Sequence, residues 1–254
     1  MLAECSNRER LAAVLREFGV AAGFPLALLG RPGPVACRFW TDEGGAAVVA
    51  QLGGNVIPLF RRGCARGVAE WLRAQSGLLT QMIVPEPMGN ELLGVGQLPS
   101  PLTSVTETLA EMRELRAEPP ADLRVAGTED GARLARLYRP HTFAVAEFLP
   151  FPERFRWALE AGRFCYIERD GQPVAACHTL PEAAGIGQIM GVVTDPDYPG
   201  HGLGRAVVAG LCRMLLDGGL APRLFYETRN NATRGLYRSL GFQDRIAYLT
   251  INFL

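Results

Sequence analysis

The sequence predicts an α+β protein built on a mixed β-sheet, and three observations lead to this prediction. The chain has 254 residues, of which 48% are hydrophobic and 20% are charged, as in an ordinary globular protein with a sizeable core. Predicted strands and helices alternate through its second half, which favours a sheet covered by helices. A short Pro-containing joint at 117–121 separates the two halves and predicts domains at 1–118 and 119–254.

The second half supplies the clearest elements. Thr128 precedes two acidic residues and an apolar helical face, which is typical of a helix start. Two strands surround the turn Asp170-Gly171, as expected for a hairpin. The predicted strands are 122–126, 164–169, 173–179, 187–194, 224–228 and 246–253, and the predicted helices are 128–138, 152–161, 202–217 and 232–240.

The first half is α+β without a named motif. Its predicted strands are 35–39, 46–52 and 56–59, and its predicted helices are 8–18, 68–75 and 105–115.

Composition excludes several classes of protein. Lys plus Arg number 26 and so do Asp plus Glu, which gives no electrostatic reason to expect binding to nucleic acid or to an acidic membrane surface. Stretches of about 18 apolar residues, which a membrane span requires, are absent, and the short apolar segment Val20–Leu29 does not have the form of a signal peptide. The six cysteines are scattered and favour neither a metal site nor a disulfide framework. We therefore expect a cytoplasmic protein with free thiols and no metal.

A glycine-rich turn lies between a predicted strand and a predicted helix at Gly191–Arg205. Leu203, Val207, Leu211 and Leu215 recur at helical spacing, so the turn leads into the first N–H groups of a helix, where phosphates bind. Because Gly200, Gly202 and Gly204 have no side chains, a phosphate can approach the backbone there, and Arg205 adds a cation. Neither the dinucleotide fingerprint nor a P-loop fits this run, and a glycine-rich turn without a ligand remains an alternative.

A second segment, Phe225–Phe242, follows about 25 residues later and contains Asn230-Asn231-Ala232, Leu236-Tyr237 and Gly241-Phe242. Together the two segments resemble the motifs of the GNAT superfamily of acyl-CoA-dependent N-acyltransferases, in the family's order and at its usual distance. The first resembles V-x-T-x-P-x-x-R-G-x-G-x-G, and the second resembles a strand followed by N-x-x-A-x-x-L-Y-x-x-x-G-F. The resemblance covers roughly residues 122–254 and implies a GNAT fold there.

The resemblance implies an N-acetyltransferase that uses acetyl-CoA. The backbone of Val192, Val193 and Thr194 would bind the pantetheine arm and the thioester oxygen. The pyrophosphate would lie on the backbone of the turn and the helix start, which comprises Gly200, His201, Gly202, Leu203, Gly204 and Arg205. Asn230 would contact the CoA arm or, as an alternative, cap a helix.

Two side chains match reactive positions of the family. Tyr237 matches the tyrosine that protonates the departing thiolate, and its alternative is packing on the sheet. Glu227 is the candidate general base, and its alternative is a solvated charge at the end of a strand. His178 is the second candidate, and its alternative is a structural histidine. Pro199 stands where the family usually has Arg or Gln. Because proline has neither an N–H nor a cationic side chain, the turn lacks one phosphate contact there. Thr233 stands where the family often has Ala.

The acceptor is expected to be a primary amine of a small molecule or peptide. The apolar loop at 143–152 favours a hydrophobic amine, unless it only packs between the two halves. The first half is either a degenerate GNAT-like fold or another α+β domain, and its candidate turn at 62–67 is not expected to bind a second CoA. Monomer and homodimer both remain open. A non-catalytic acyl-CoA-binding or regulatory protein is the alternative function.

Overall fold

The computed structural model describes residues 1–30, 37–96, 98–139, 155–180, 182 and 184–253. Contacts divide the chain into two compact units, each of which is discontinuous in sequence. Unit 1 comprises 1–109, 226–229 and 245–254, and unit 2 comprises 110–225 and 230–244. The predicted domain boundary between residues 118 and 119 is a different kind of division from these contact units, and it stays a prediction.

Unit 1 contains a sheet with helices packed on it. Its strands are β1 (Ala3–Glu4), β2 (Arg38–Thr41), β3 (Ala47–Leu52), β4 (Asn55–Phe60), β5 (Gln81–Pro85) and most of β6 (Thr103–Glu111), together with most of the last strand of the chain, β12 (Gln243–Asn252). Its helices are α1 (Arg8–Arg16), α2 (Gly23–Gly30), α3 (Ala65–Ala74) and α4 (Glu86–Val95), with a 3-10 turn at Gly19–Ala22. The strand order is β1-β2-β3-β4-β5-β12-β6.

Unit 2 contains the strands on which the predicted site lies. These are β7 (Leu123–Val125), β8 (Phe164–Arg169), β9 (Gln172–Thr179), β10 (Ile186–Thr194) and most of β11 (Ala221–Glu227), in the order β11-β10-β9-β8-β7. The helices are α5 (Gly131–Tyr138), α6 (Arg156–Glu160), α7 (Leu203–Asp217) and α8 (Asn231–Leu240). The hairpin turn has positive φ at both Asp170 and Gly171, which matches the predicted two-residue turn.

Each unit has its own apolar core. In unit 1 the core lies between the sheet and α3 and α4, and Val68, Leu72 and Leu92 are fully buried there. In unit 2 an aromatic group, Tyr138, Phe155 and Phe164, packs against β9 and β10. The predicted mixed α+β sheet is confirmed.

The predicted helix at 105–115 is wrong. Residues Thr103–Glu111 form strand β6, which lies beside β12 in unit 1, and the Thr106 carbonyl oxygen on its other edge accepts the Thr228 N–H. The segment 105–115 reads as a charged, helix-like run, but Thr103, Val105, Thr106 and Thr108 are β-branched and favour a strand. Partners on both edges satisfy the backbone in extended form, so the tertiary context overrides the local helical signal.

The remaining differences are omissions. The sequence prediction lacks β1, α2, β5 and α4, which lie in segments without a clear period. Within the described ranges, none of the helices has the length and apolar character needed to cross a membrane. All six cysteines are free thiols, and Cys165, Cys177 and Cys212 are buried.

Candidate active site

A β-bulge interrupts β10 immediately before the glycine-rich turn. The antiparallel register with β9 pairs Met190 with His178 and then Val193 with Ala176, so β10 carries an extra residue between these pairs. Gly191, at the bulge, has φ +56°, and a Cβ atom placed there would lie 2.7 Å from His178 Nε2. The bulge therefore requires glycine for its backbone conformation and for space.

The pairing of β10 with β11 ends early. The parallel register extends from Ile186 opposite Ala221 to Gln188 opposite Arg223, whereas β10 continues to Thr194. The backbone of Val192 and Val193 therefore lies beyond the last registered pair, next to the bulge. These are backbone groups that, by the GNAT resemblance, would bind a pantetheine arm.

A buried ion pair holds β11 where it parts from β10. Arg223 Nε donates to Glu111 Oε2 at 2.6 Å, and both side chains are at most 10% exposed. Gln188 Nε2 also donates to the Arg223 carbonyl oxygen at 3.4 Å. Because removing one member of a buried pair leaves an uncompensated charge, this contact fixes the position of β11 strongly.

The turn after β10 brings the chain into α7. Gly200 and Gly202 have φ +74° and +67°, and a Cβ atom on either would meet open space. The first hydrogen bond of the helix goes from Ala206 N–H to the Gly202 carbonyl oxygen at 2.9 Å. The N–H groups of Leu203, Gly204 and Arg205 therefore precede the helical ladder and lie at the positive end of the helix dipole.

The strand end and the helix start approach each other closely. A Cβ atom on Gly204 would lie 3.1 Å from Thr194 Oγ1. Between them, Asp195 Oδ1 accepts the Asp197 N–H at 2.9 Å and so forms a local turn. Pro199 and His201 are exposed on this turn, and the His201 ring lies 6.5 Å from that of Tyr198.

Arg205 and Asn230 both contact helix α8. Arg205 Nε donates to Ser239 Oγ at 3.1 Å, which holds this cation beside the start of α7. Asn230 is the N-cap of α8, and its Oδ1 accepts the Thr233 N–H at 3.0 Å. The capping role is therefore present in the structure, and a contact with a CoA arm stays a prediction.

Tyr237 is a buried residue of α8, only 7% exposed. Burial raises its pKa well above the ordinary tyrosine value, and the nearby thiols of Cys177 and Cys212 act in the same direction. The Tyr237 ring also packs edge-on against Phe242 at 5.7 Å. The side chain therefore stays protonated at any physiological pH, which suits a proton donor and also suits packing.

Glu227 ends β11, is exposed, and belongs to unit 1. The adjacent Thr228 donates its N–H to the Thr106 carbonyl oxygen at 2.9 Å, which places Glu227 beside Glu107 on β6. Burial raises the pKa of Glu107, a hydrogen bond from the Thr250 hydroxyl lowers it, and the negative charge of Glu227 raises it further. The predicted base thus has a second carboxyl group beside it, which sequence reasoning missed.

His178 lies in the aromatic group under the bulge. It is 8% exposed, stacks on Phe164 at 5.2 Å and meets Phe155 edge-on at 4.6 Å. Its Nδ1 is 3.1 Å from the Thr179 carbonyl oxygen, which can only accept, so Nδ1 carries the proton. These contacts fit the structural alternative for His178. The predicted acceptor loop at 143–152 lies outside the described residues.

Comparison with known proteins identifies the family. The sequence model of the Acetyltransferase (GNAT) family matches residues 131–242, which include the bulge, the turn, α7, β11 and α8. Residues 131–242 belong to the GNAT acetyltransferase family. The predicted family is confirmed by this match over residues 131–242. Among the residues that the structure describes, no group of three or more His, Cys, Asp or Glu residues could hold a metal ion.

Curated relatives are similar to part of this chain. A mycothiol acetyltransferase of Nocardiopsis dassonvillei is 38% identical over 96 residues, which are 34% of this chain and 29% of that protein. A mycothiol acetyltransferase of Thermobifida fusca is 32% identical over 101 residues, which are 36% of this chain and 31% of that protein. The match thus spans less than a third of the length of these relatives.

Two solved structures match this chain over its whole length. A Drosophila protein has a TM-score of 0.74 at 13% identity, covering 100% of this chain and 98% of that one. A tandem GNAT protein from the clavulanic acid biosynthesis pathway has a TM-score of 0.61 at 14% identity, again covering 100% and 98%. At these identities the likeness concerns the fold, and it confirms the predicted GNAT fold class.

Proposed function

We propose that this protein transfers an acetyl group from acetyl-CoA to a primary amine by direct attack. The observation that carries the proposal is the continuous segment Gly191–Arg205, which combines a bulged strand, a released strand edge and an open helix N-terminus. A thioester, a pantetheine arm and a pyrophosphate need these three features in this order.

The pyrophosphate lies on the backbone from Gly200 to Arg205 in this proposal. Glycine at 200, 202 and 204 lets the phosphate oxygens approach the N–H groups, and His201 and Leu203 contribute their backbone as well. Pro199 offers neither an N–H nor a cation. Arg205, held by Ser239, is the cation nearest in sequence to these N–H groups.

The thioester lies along the end of β10. Backbone groups of Val192, Val193 and Thr194 bind the pantetheine arm, and an N–H of this segment stabilises the oxyanion of the tetrahedral intermediate. One such donor is worth on the order of 3 kcal/mol of transition-state stabilisation. Asn230 contacts the arm in addition to capping α8.

Tyr237 donates the proton that the departing thiolate requires. The amine attacks the thioester carbon, the carbon–sulfur bond breaks, and CoA leaves as the thiol after receiving the tyrosine proton. Because burial raises the pKa of Tyr237, the neutral phenol is present throughout the working pH range.

Glu227 is the proposed acceptor of the amine proton, directly or through water. Its position at the exposed end of β11 supports this role, since the same strand is held by Glu111 at Arg223, four residues earlier. Glu107 lies beside Glu227 and has a raised pKa, so its carboxyl group is a second one that can take up a proton near this strand end.

The acceptor is proposed to be the amine of a small molecule, with a peptide amine as the alternative. The mycothiol acetyltransferases to which part of the chain is similar support acetyl transfer in general. Localisation in the cytoplasm and a monomer or homodimer remain part of the proposal.

Unit 1 is proposed not to bind a second CoA. In unit 1, the registered parallel pairing of β4 with β5 extends only to Val56 opposite Met82, although β4 continues to Phe60. There the Phe60 N–H contacts Met88 Sδ at 3.5 Å, and the Gly63 N–H at the following turn donates to Glu91 Oε1 at 2.9 Å. Side chains of α4 thus occupy backbone donors at the places where an arm and a phosphate would need them.

The proposal is tested by acetyl transfer from acetyl-CoA to a panel of amines, with release of the CoA thiol as the readout. We expect thiol release that depends on both the amine and the protein. Binding of acetyl-CoA without turnover on any amine would favour the alternative, a non-catalytic acyl-CoA-binding or regulatory protein. The exposed position of Glu227 and the protonated state of Tyr237 favour the enzyme.

A further inference from the structure

A buried tyrosine contacts the backbone of the bulge from the side of α5. The hydroxyl of Tyr138, the last residue of α5, donates to the Gly191 carbonyl oxygen at 2.5 Å. The side chain is 1% exposed, and its ring packs against Phe155 at 5.0 Å and Phe164 at 5.8 Å. The ring is thus held from several sides, and its hydroxyl is a fixed donor.

The position of the Gly191 carbonyl determines the direction of the next N–H group. In a trans peptide the carbonyl of one residue and the N–H of the next point in opposite directions. The hydrogen bond from Tyr138 therefore directs the Val192 N–H away from α5. The extra residue between the pairs Met190–His178 and Val193–Ala176 frees this peptide from the regular β9 ladder, so the tyrosine supplies the orientation that the ladder does not.

The same hydrogen bond polarises the peptide unit. A donor on the carbonyl oxygen of a peptide strengthens the N–H of that peptide as a donor, because hydrogen bonds in a chain reinforce one another. The effect is larger in a buried site of low dielectric. Tyr138 therefore acts on both the direction and the strength of the Val192 N–H.

We infer that Tyr138 is a positioning residue for acyl transfer: it holds the Gly191–Val192 peptide so that the Val192 N–H donates to the thioester oxygen. This inference rests on the proposed function. Tyr138 itself does not touch the acetyl group. Gly191 is required in the same arrangement because a Cβ atom there would also lie 3.2 Å from Tyr138 Cε1.

The test compares the wild-type chain with Tyr138→Phe, which keeps the ring and removes the hydroxyl. We expect kcat to fall roughly tenfold, which is less than the loss from deleting an oxyanion donor itself, while the KM for acetyl-CoA changes by less than about twofold. Infrared spectra of bound acetyl-CoA, labelled with ¹³C at the thioester carbonyl, give the second readout. The carbonyl band shifts to lower frequency on binding, and this shift is smaller in Tyr138→Phe.

The matched control is Tyr166→Phe. Tyr166 is also buried in unit 2, but its hydroxyl bonds to Asp130 at 3.3 Å and not to β10. Its loss should leave the carbonyl band unchanged. A 3-fluorotyrosine at position 138 keeps the ring and makes the hydroxyl a stronger donor, so it should increase the band shift. This variant is the test if Tyr138→Phe does not fold.

The outcomes separate the inference from the proposed function. A wild-type chain that binds no acetyl-CoA would overturn the proposed function and this inference with it. A shifted band in the wild-type chain that is the same in Tyr138→Phe, or that 3-fluorotyrosine leaves unmoved, would overturn the role of Tyr138 alone.

Discussion

The carboxyl group of Glu107 lies close enough to that of Glu227 for the charge on Glu227 to raise the pKa of Glu107. Burial is the larger cause of the same shift, and the Thr250 hydroxyl opposes it. The folded chain therefore holds a proton on Glu107 at pH values where the unfolded chain, with the ordinary glutamate pKa of 4.5, has lost it.

This raised pKa predicts a pH dependence of stability. Where the folded state binds more protons than the unfolded state, the free energy of unfolding falls as the pH rises, here from the unfolded value of 4.5 upward through the raised pKa. Glu107→Gln should remove this fall, and Glu227→Gln should reduce it. Urea unfolding at a series of pH values measures the effect, with the exposed Glu70→Gln as control. Equal pH dependence in Glu107→Gln and the wild-type chain would contradict the coupling.

Tyr237→Phe should lower the rate of acetyl transfer while leaving acetyl-CoA binding nearly intact. We expect a loss of kcat on the order of 100-fold, as for other general acids. Since burial raises the pKa of Tyr237, the wild-type rate should show no loss from ionisation of this group up to about pH 10, the ordinary tyrosine pKa. Steady-state kinetics and calorimetric titration measure both quantities. An unchanged rate would remove Tyr237 from the mechanism.

Glu227→Gln should flatten the part of the pH–rate profile that rises with pH, because the group that accepts the amine proton is gone. The measurement is kcat/KM for the amine between about pH 4 and 9, a window that spans the ordinary glutamate and histidine pKa values. A change confined to the KM for the amine would instead make Glu227 a binding residue, and the assignment as base would be withdrawn.

Gly191→Ala should destabilise the chain more than an alanine at another glycine of positive φ. Both substitutions force a non-glycine residue into the left-handed region at about 1 kcal/mol or more, but only at Gly191 does the Cβ atom lie 2.7 Å from His178 Nε2. Gly185→Ala is the control, because it has φ +73° and open space. Equal losses of unfolding free energy in the two variants would mean that the bulge is less tightly packed than described.

Pro199→Arg should increase the affinity for acetyl-CoA, because it adds the cation that the family usually has at the head of the turn. A gain of several-fold corresponds to about 1 kcal/mol, typical of one charge-assisted hydrogen bond near the surface. Pro196→Arg, at another exposed position of the same turn, should give a smaller gain. If Pro199→Arg binds no better than the wild-type chain, the register assigned to the turn is wrong.

Much of unit 2 is predictable from the sequence because local signals agree there. The period of Leu203, Val207, Leu211 and Leu215 gives α7, and it appears as predicted from Leu203 to Asp217. Asn230 is predicted both as a family residue and as a cap, and the cap is observed.

The contacts that orient the site were not predictable, because each joins distant segments. Tyr138 and Gly191 are 53 residues apart, and only the fold brings the hydroxyl to the bulge. Glu107 lies in a segment whose spacing imitates a helix, so its neighbour on β11 could not be inferred. A signal for the bulge was available in Gly191 itself, a glycine inside a predicted strand.

Calorimetric titration of the full chain with acetyl-CoA, repeated with Gly202→Glu, measures whether the glycine-rich turn binds the pyrophosphate. We expect a single site per chain, bound through the Gly200–Arg205 backbone, and a loss of binding when a carboxylate is placed at the open position of Gly202. Full binding by Gly202→Glu, no binding by the wild-type chain, or two acetyl-CoA molecules per chain would contradict it.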